Sequence, residues 1–141
     1  LRYEAYLPPM AGFDNKLEGH GFANRWARYK TGIVDVTVGN FYEQFGTGMI
    51  FRAYEEWTLG YDNSVDGVRV ILNPMKGIAI KGIWGTQRYF WDHYKKDDRG
   101  IIRGGDIDLF LNDVFEKMND SKTKITLGGG LISRYQADLD P

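Results

Sequence analysis

The stretch Ile33-Val34-Asp35-Val36-Thr37-Val38-Gly39-Asn40-Phe41 decides the fold. Val34, Val36 and Val38 alternate with Asp35, Thr37 and Gly39, the period of two of a pleated strand with unlike faces. The same pattern recurs downstream. Val68, Val70 and Leu72 alternate with Gly67, Arg69 and Ile71 up to Asn73-Pro74, where the missing N–H of proline predicts the end of the strand. A connection this short before the next strand predicts an antiparallel hairpin. Gly77 to Trp91 follows, with Ile78, Ile80, Gly82, Trp84, Thr86, Arg88 and Phe90 on one face. That is long beside the usual strand of roughly 5 or 6 residues. Its polar tip runs from Asp92 to Gly100.

Further out, Ile107, Leu109 and Leu111 oppose Asp106, Asp108 and Phe110, although Ile107, Phe110, Leu111, Val114 and Met118 also fit a helical stripe. The reading adopted is strand, then a helical turn through Asn112–Met118. Thr123 to Tyr135 repeats the alternation with Ile125, Leu127 and Leu131 facing away from Lys124, Thr126 and Arg134. Upstream, Arg2 to Leu7 forms a short strand ending at Pro8-Pro9, and Gly21 to Lys30 a second, with Phe22 and Trp26 on one side. Met49 to Thr58 reads as a strand behind Gly46 and Gly48, which offer a bend, and Tyr61 to Ser64 as a turn. The expectation is all-β: about eight strands in an antiparallel up-and-down β-barrel or part of one, in one unit spanning residues 1–141.

Composition agrees. Glycine takes 18 of the 141 positions, about 13% against a usual share near 7%, and aromatic residues make up 15%. Eighteen basic and 19 acidic side chains leave a formal charge of −1, which gives no basic surplus for a nucleic acid. The absence of cysteine excludes disulfides, thiolate metal sites and cysteine nucleophiles. No apolar run reaches the roughly 18 residues of a transmembrane helix, whereas a transmembrane barrel leaves no such run. The chain opens on Leu1, as a processed product or internal portion would.

Several residue groups carry chemistry. Glu43, Glu55 and Glu56 invite a glycoside hydrolase reading. Carboxylates on solvated strand faces are, however, common. His20 and His93 lack partners at metal-ligand spacing, Gly46-Thr47-Gly48 and Gly128-Gly129-Gly130 lack the phosphate-binding context, and no nucleophile elbow is present. No cofactor is expected. Trp57, Tyr61, Trp84, Tyr89 and Trp91 cluster toward strand ends, which suits core packing, a sugar-stacking platform or an interfacial girdle. Arg52, Glu56, Arg69, Arg88, Arg103 and Asp106 recur at strand positions. In a barrel they must turn to the lumen, because a lipid-facing Arg or Lys at mid-depth costs roughly 2–4 kcal/mol.

The run VTVGNFYEQFGTGMIFRAYEEWTLGYDNSVDGVRV, with NPMKGIAIKGIWGTQRYFW and RGIIRGGDIDLFLN after it, resembles the DUF6029 family of Bacteroidota proteins over about Leu1 to Tyr135. The resemblance implies an outer-membrane β-barrel of which this chain is a portion, and no catalytic residues. The expected role is non-catalytic, as a wall, a pore or a docking surface, with outer-membrane lipid and other envelope proteins as partners. A soluble β-sandwich binding carbohydrate through Trp84 and Trp91 is the alternative, and a glycan hydrolase using Glu43 and Glu55 a third.

Overall fold

The computed structural model describes residues 1–6, 19–88 and 100–136. Its strands are β1 (Arg2–Tyr6), β2 (Gly19–Asn24), β3 (Trp26–Lys30), β4 (Val34–Phe41), β5 (Glu55–Glu56), β6 (Tyr61–Asp62), β7 (Val65–Met75), β8 (Ile78–Gln87), β9 (Ile101–Phe110) and β10 (Thr126–Tyr135). One helical turn, α1 (Leu111–Val114), and a 3₁₀ turn at Glu116–Met118 occupy the β9–β10 connection, as the sequence predicts. The main sheet is antiparallel in the order β10-β9-β8-β7-β4-β3. The all-β antiparallel expectation holds. The sheet does not close among the described residues: β3 and β10 are its edges.

Register sorts the side chains. Val36 stands opposite Val70, Val70 opposite Gly82, Leu72 opposite Ile80, and Ile80 opposite Ile107. One face of the sheet therefore carries Val34, Val36, Val38, Val68, Val70, Leu72, Ile78, Ile80, Trp84, Ile107, Leu109, Leu127 and Leu131. Among the described residues nothing covers it: Val38 is 52% exposed, Leu127 54% and Leu131 77%. The other, inner face carries Asp35, Thr37, Arg69, Lys81, Asp106 and Asp108 with Phe41, Val65, Ile83 and Ile102.

Residues 42–64 lie over that inner face. Here the expected strand Met49–Thr58 gives way to a loop with an isolated Gln44–Arg52 bridge, the two-residue hairpin of β5 and β6, and a 3₁₀ turn at Trp57–Leu59. The segment pairs with neither edge of the main sheet and folds over the inner face instead. Phe45 and Ala53 bury themselves against Phe41, Val65, Ile83 and Ile102, with Phe51 and Ile132 at the margin. Gly104 makes this possible, since a Cβ there would stand 3.0 Å from the Phe45 ring.

Three other boundaries move. β7 runs through Pro74 to Met75 because the register slips between Leu72 and Met75, and an irregularity is where a ladder can do without an N–H. The segment from Gly21 to Lys30 is two strands in two sheets, broken at Arg25. Gly39, at φ +100°, lets the Arg25 carbonyl approach to 2.1 Å from where a Cβ would sit. Finally, Tyr61–Asp62 is strand rather than turn. The Asp92–Gly100 tip lies outside the described residues up to residue 99.

Candidate functional site

Charged side chains on the inner face form two clusters. In the first, Arg69 reaches Glu43 at 3.2 Å, Asp35 at 3.5 Å and the Thr37 hydroxyl at 3.2 Å. These contacts follow from the register, which sets Arg69 opposite Thr37 on the neighbouring strand. Asp35 also takes a two-pronged contact from Arg28, through Nε at 2.8 Å and Nη2, the fork geometry that suits guanidinium to carboxylate. Lys81 stands between Glu43 at 3.8 Å, Asp106 at 3.6 Å and Asp108 at 3.5 Å, and donates to the Gln44 carbonyl at 3.2 Å. Thus 42–64 is tied to the sheet by charge as well as by Phe45.

The second cluster sits where β1, the β5–β6 hairpin and the end of β8 meet. Arg2 donates to both carboxylate oxygens of Glu55, at 2.9 and 2.6 Å, and reaches Asp62 at 3.4 Å. Arg88 contacts Glu4 at 3.1 Å and Asp62. Its side chain is 4% exposed, so β8 ends just before it and the expected place of Arg88 beside Ile80 and Trp84 is not taken. Arg2 also lies 5.0 Å over the Trp57 ring. Burial, reinforced by the charges of Asp62 and Glu55, holds the Tyr42 phenol well above its usual range.

A pH prediction follows from Tyr42. The folded state keeps the phenolic proton where the unfolded chain, ionising near pH 10, would lose it. The resulting stabilisation is whole below about pH 10 and declines as pH climbs above that value. Melting curves between about pH 8 and about pH 11 are expected to fall less steeply for Tyr42→Phe than for the parent, and equal slopes would contradict the assignment.

Of the residues the sequence singled out for a lumen network, Arg69, Arg88 and Asp106 enter the clusters, in two separate groups. Arg52, Glu56 and Arg103 do not. Arg52 packs over Tyr54, 4.7 Å from its ring. Glu56 accepts hydrogen bonds from the Thr58 N–H at 3.1 Å and hydroxyl at 2.6 Å, which lower its pKa. Arg103 is opposite Trp84 and Ser133 and therefore on the apolar face. Among the aromatic candidates, Trp57 is exposed beside Arg2, Tyr61 packs 5.1 Å from Tyr54, and Trp84 is 57% exposed on the apolar face. Tyr89 and Trp91 lie outside the described residues. Glu43 and Glu55, the hydrolase pair, are divided between the clusters, each held by its own cations.

Lys81, Glu4, Asp62, Arg2 and Arg28 are absent from the sequence-based set. Lys81 was within reach, because it occupies the face of β8 opposite to Ile78, Ile80 and Trp84. The other four depend on pairings or loop placements that alternation does not encode.

Two of the recesses on the inner face border these clusters. One, of about 680 Å³, runs between the Phe45–Ile50 loop and the Gly128–Gly130 segment of β10, with Asp106 and Asp108 in its wall. The other, of about 240 Å³, is bounded by β2, β3, β4 and β7 and includes Asn24, Trp26, Arg28 and Arg69. Among the described residues no group of three or more His, Asp or Glu side chains is placed to hold a metal ion.

Compared with known proteins, the chain matches, over residues 1–140, the model of a family of unknown function, DUF6029. No curated protein and no solved structure matches the chain.

Proposed function

We propose, from the premise that this chain belongs to the DUF6029 family, that it forms part of the wall of an outer-membrane β-barrel, in an envelope of the Bacteroidota type. The observation that carries this reading is the division of the six-stranded sheet into an aliphatic face, uncovered among the described residues, and an ionic face. In water a contiguous aliphatic face of this kind would be a liability, since soluble monomers rarely expose large apolar patches. Against hydrocarbon it is the required exterior.

Strand length supports the same reading. β8, β9 and β10 have 10 residues each. At roughly 3.3 Å per residue and a tilt near 40°, they rise about 25 Å, the height of the apolar band of outer-membrane barrels. The charged residues of the aliphatic face, Asp66 and Arg103, fall at one end of the sheet, near Trp84 and Tyr135. That is the level at which aromatic girdles and snorkelling side chains meet the headgroups.

The role is structural and non-catalytic: the ionic clusters hold 42–64 inside the barrel. Lipid is the partner of the aliphatic face, and the edges of β3 and β10, unpaired among the described residues, call for further strands or for other envelope proteins. The test is fractionation of cells producing the natural full-length protein. It is expected in the membrane pellet after a high-pH carbonate wash and to need detergent for extraction. Recovery in the soluble fraction at high concentration without detergent would defeat the proposal.

A further inference from the structure

We propose that the smaller recess, beside the edge strand β3, is a binding site for a single neutral sugar ring. This goes beyond the wall function and does not depend on it. Three residues lining the recess carry a buried polar atom without a hydrogen-bond partner: the Oδ1 of Asn24, the hydroxyl of Tyr42 and the Nε of Arg69. Asn24 is 7% exposed. The first is an acceptor, the last a donor and the phenol either, and leaving any of them unmet is costly. Hydroxyl groups are the ligand chemistry that answers all three, donating to Oδ1, accepting from Nε–H and doing either with the phenol.

Charge narrows the class. Arg28 and Arg69 border the recess, yet both are already neutralised, Arg28 by Asp35 and Arg69 by Glu43 and Asp35. An anion would have to displace a carboxylate, so a neutral polyhydroxylated molecule is favoured. Trp26, 55% exposed, and Tyr42 supply aromatic surface on which the C–H face of a pyranose stacks. The volume of about 240 Å³ is below the roughly 300–1,000 Å³ of pockets for drug-sized ligands, which limits the occupant to one ring. These atoms are closed over in the free protein, so a ligand reaches them only as bordering side chains such as the exposed Trp26 turn aside, with the Arg28–Asp35 pair kept.

The experiment is calorimetric titration of the natural full-length protein, held in an amine-oxide detergent that carries no sugar, with methyl β-D-glucopyranoside, methyl β-D-galactopyranoside and D-glucuronate. Millimolar binding of at least one neutral glycoside is expected, with glucuronate weaker. Trp26→Ala and Asn24→Leu are each expected to lower the affinity about tenfold, while Asn24→Asp, which keeps an acceptor oxygen, retains most of it. Trp26 is an exposed edge residue, so its variant decides the matter if Asn24→Leu fails to fold. Absence of heat with both neutral glycosides, preference for glucuronate, or affinity untouched by Trp26→Ala would overturn the site. Membrane partition of the same preparation reports separately on the wall function.

Discussion

Val70→Arg is expected to destabilise the bilayer-embedded protein by about 2–4 kcal/mol, while Ile78→Arg costs no more than about 1 kcal/mol. Both residues belong to the aliphatic face. Val70 lies midway along β7, between Val36 and Gly82, and Ile78 lies at the hairpin end of β8, beside the Gly77 turn. A guanidinium at mid-depth faces hydrocarbon, and one at the end reaches the headgroups along its own stem. If the aliphatic face were solvated, both changes would fall within about 0.5 kcal/mol, as surface substitutions usually do. If it were packed against protein, the cost would follow local packing and not height along the strand. Urea titration of the protein folded into vesicles reads the difference, and equal costs at the two positions would remove the case for lipid contact.

Arg88→Met is the second large effect. The guanidinium is almost fully enclosed and faces Glu4 and Asp62, whose side chains are 10% and 9% exposed. Removing it leaves two carboxylates with Arg2 as their remaining cation, and unpairing a buried charge costs about 3–5 kcal/mol. Adding Asp62→Leu to Arg88→Met takes away much of that repulsion and is expected to restore at least about 1 kcal/mol, a non-additivity that marks direct coupling. The same vesicle titration measures it. Strictly additive losses would mean that the Arg88–Asp62 contact contributes nothing specific.

These two results address different levels of the fold. The alternation of Val34, Val36 and Val38 with Asp35 and Thr37 already tells which side chains share a face, because side-chain direction along a strand is a local property of the backbone. The helical turn after β9 was legible for the same reason. Met49–Thr58 was not: its residues have strand propensity, yet a strand needs a neighbour, β3 and β7 occupy both sides of β4, and the segment joins neither sheet edge but packs over the inner face. Pro74 misled in the opposite sense, since the proline rule holds for a regular ladder and the β7–β8 register slips there.

The candidate site shows the same division. Arg69, Arg88 and Asp106 were recognisable as charges that must leave an apolar face. Arg52, Glu56 and Arg103 look identical in sequence and went elsewhere: Arg52 and Glu56 because they fall in the inward-folded segment, Arg103 because its parity in β9 sets it beside Ile101 and Ile107. Glu4 and Asp62, which complete the Arg88 cluster, are far from it in the chain and meet it only through folding.

Periodicity along the chain alone determined that this is a β protein with one oily and one ionic side, because each residue's side follows from its neighbours two positions away. Tertiary structure decided which charge answers which, and that residues 42–64 turn inward to bury Phe45. Those outcomes depend on register between distant strands and on which edges remain unpaired, and no local pattern specifies either.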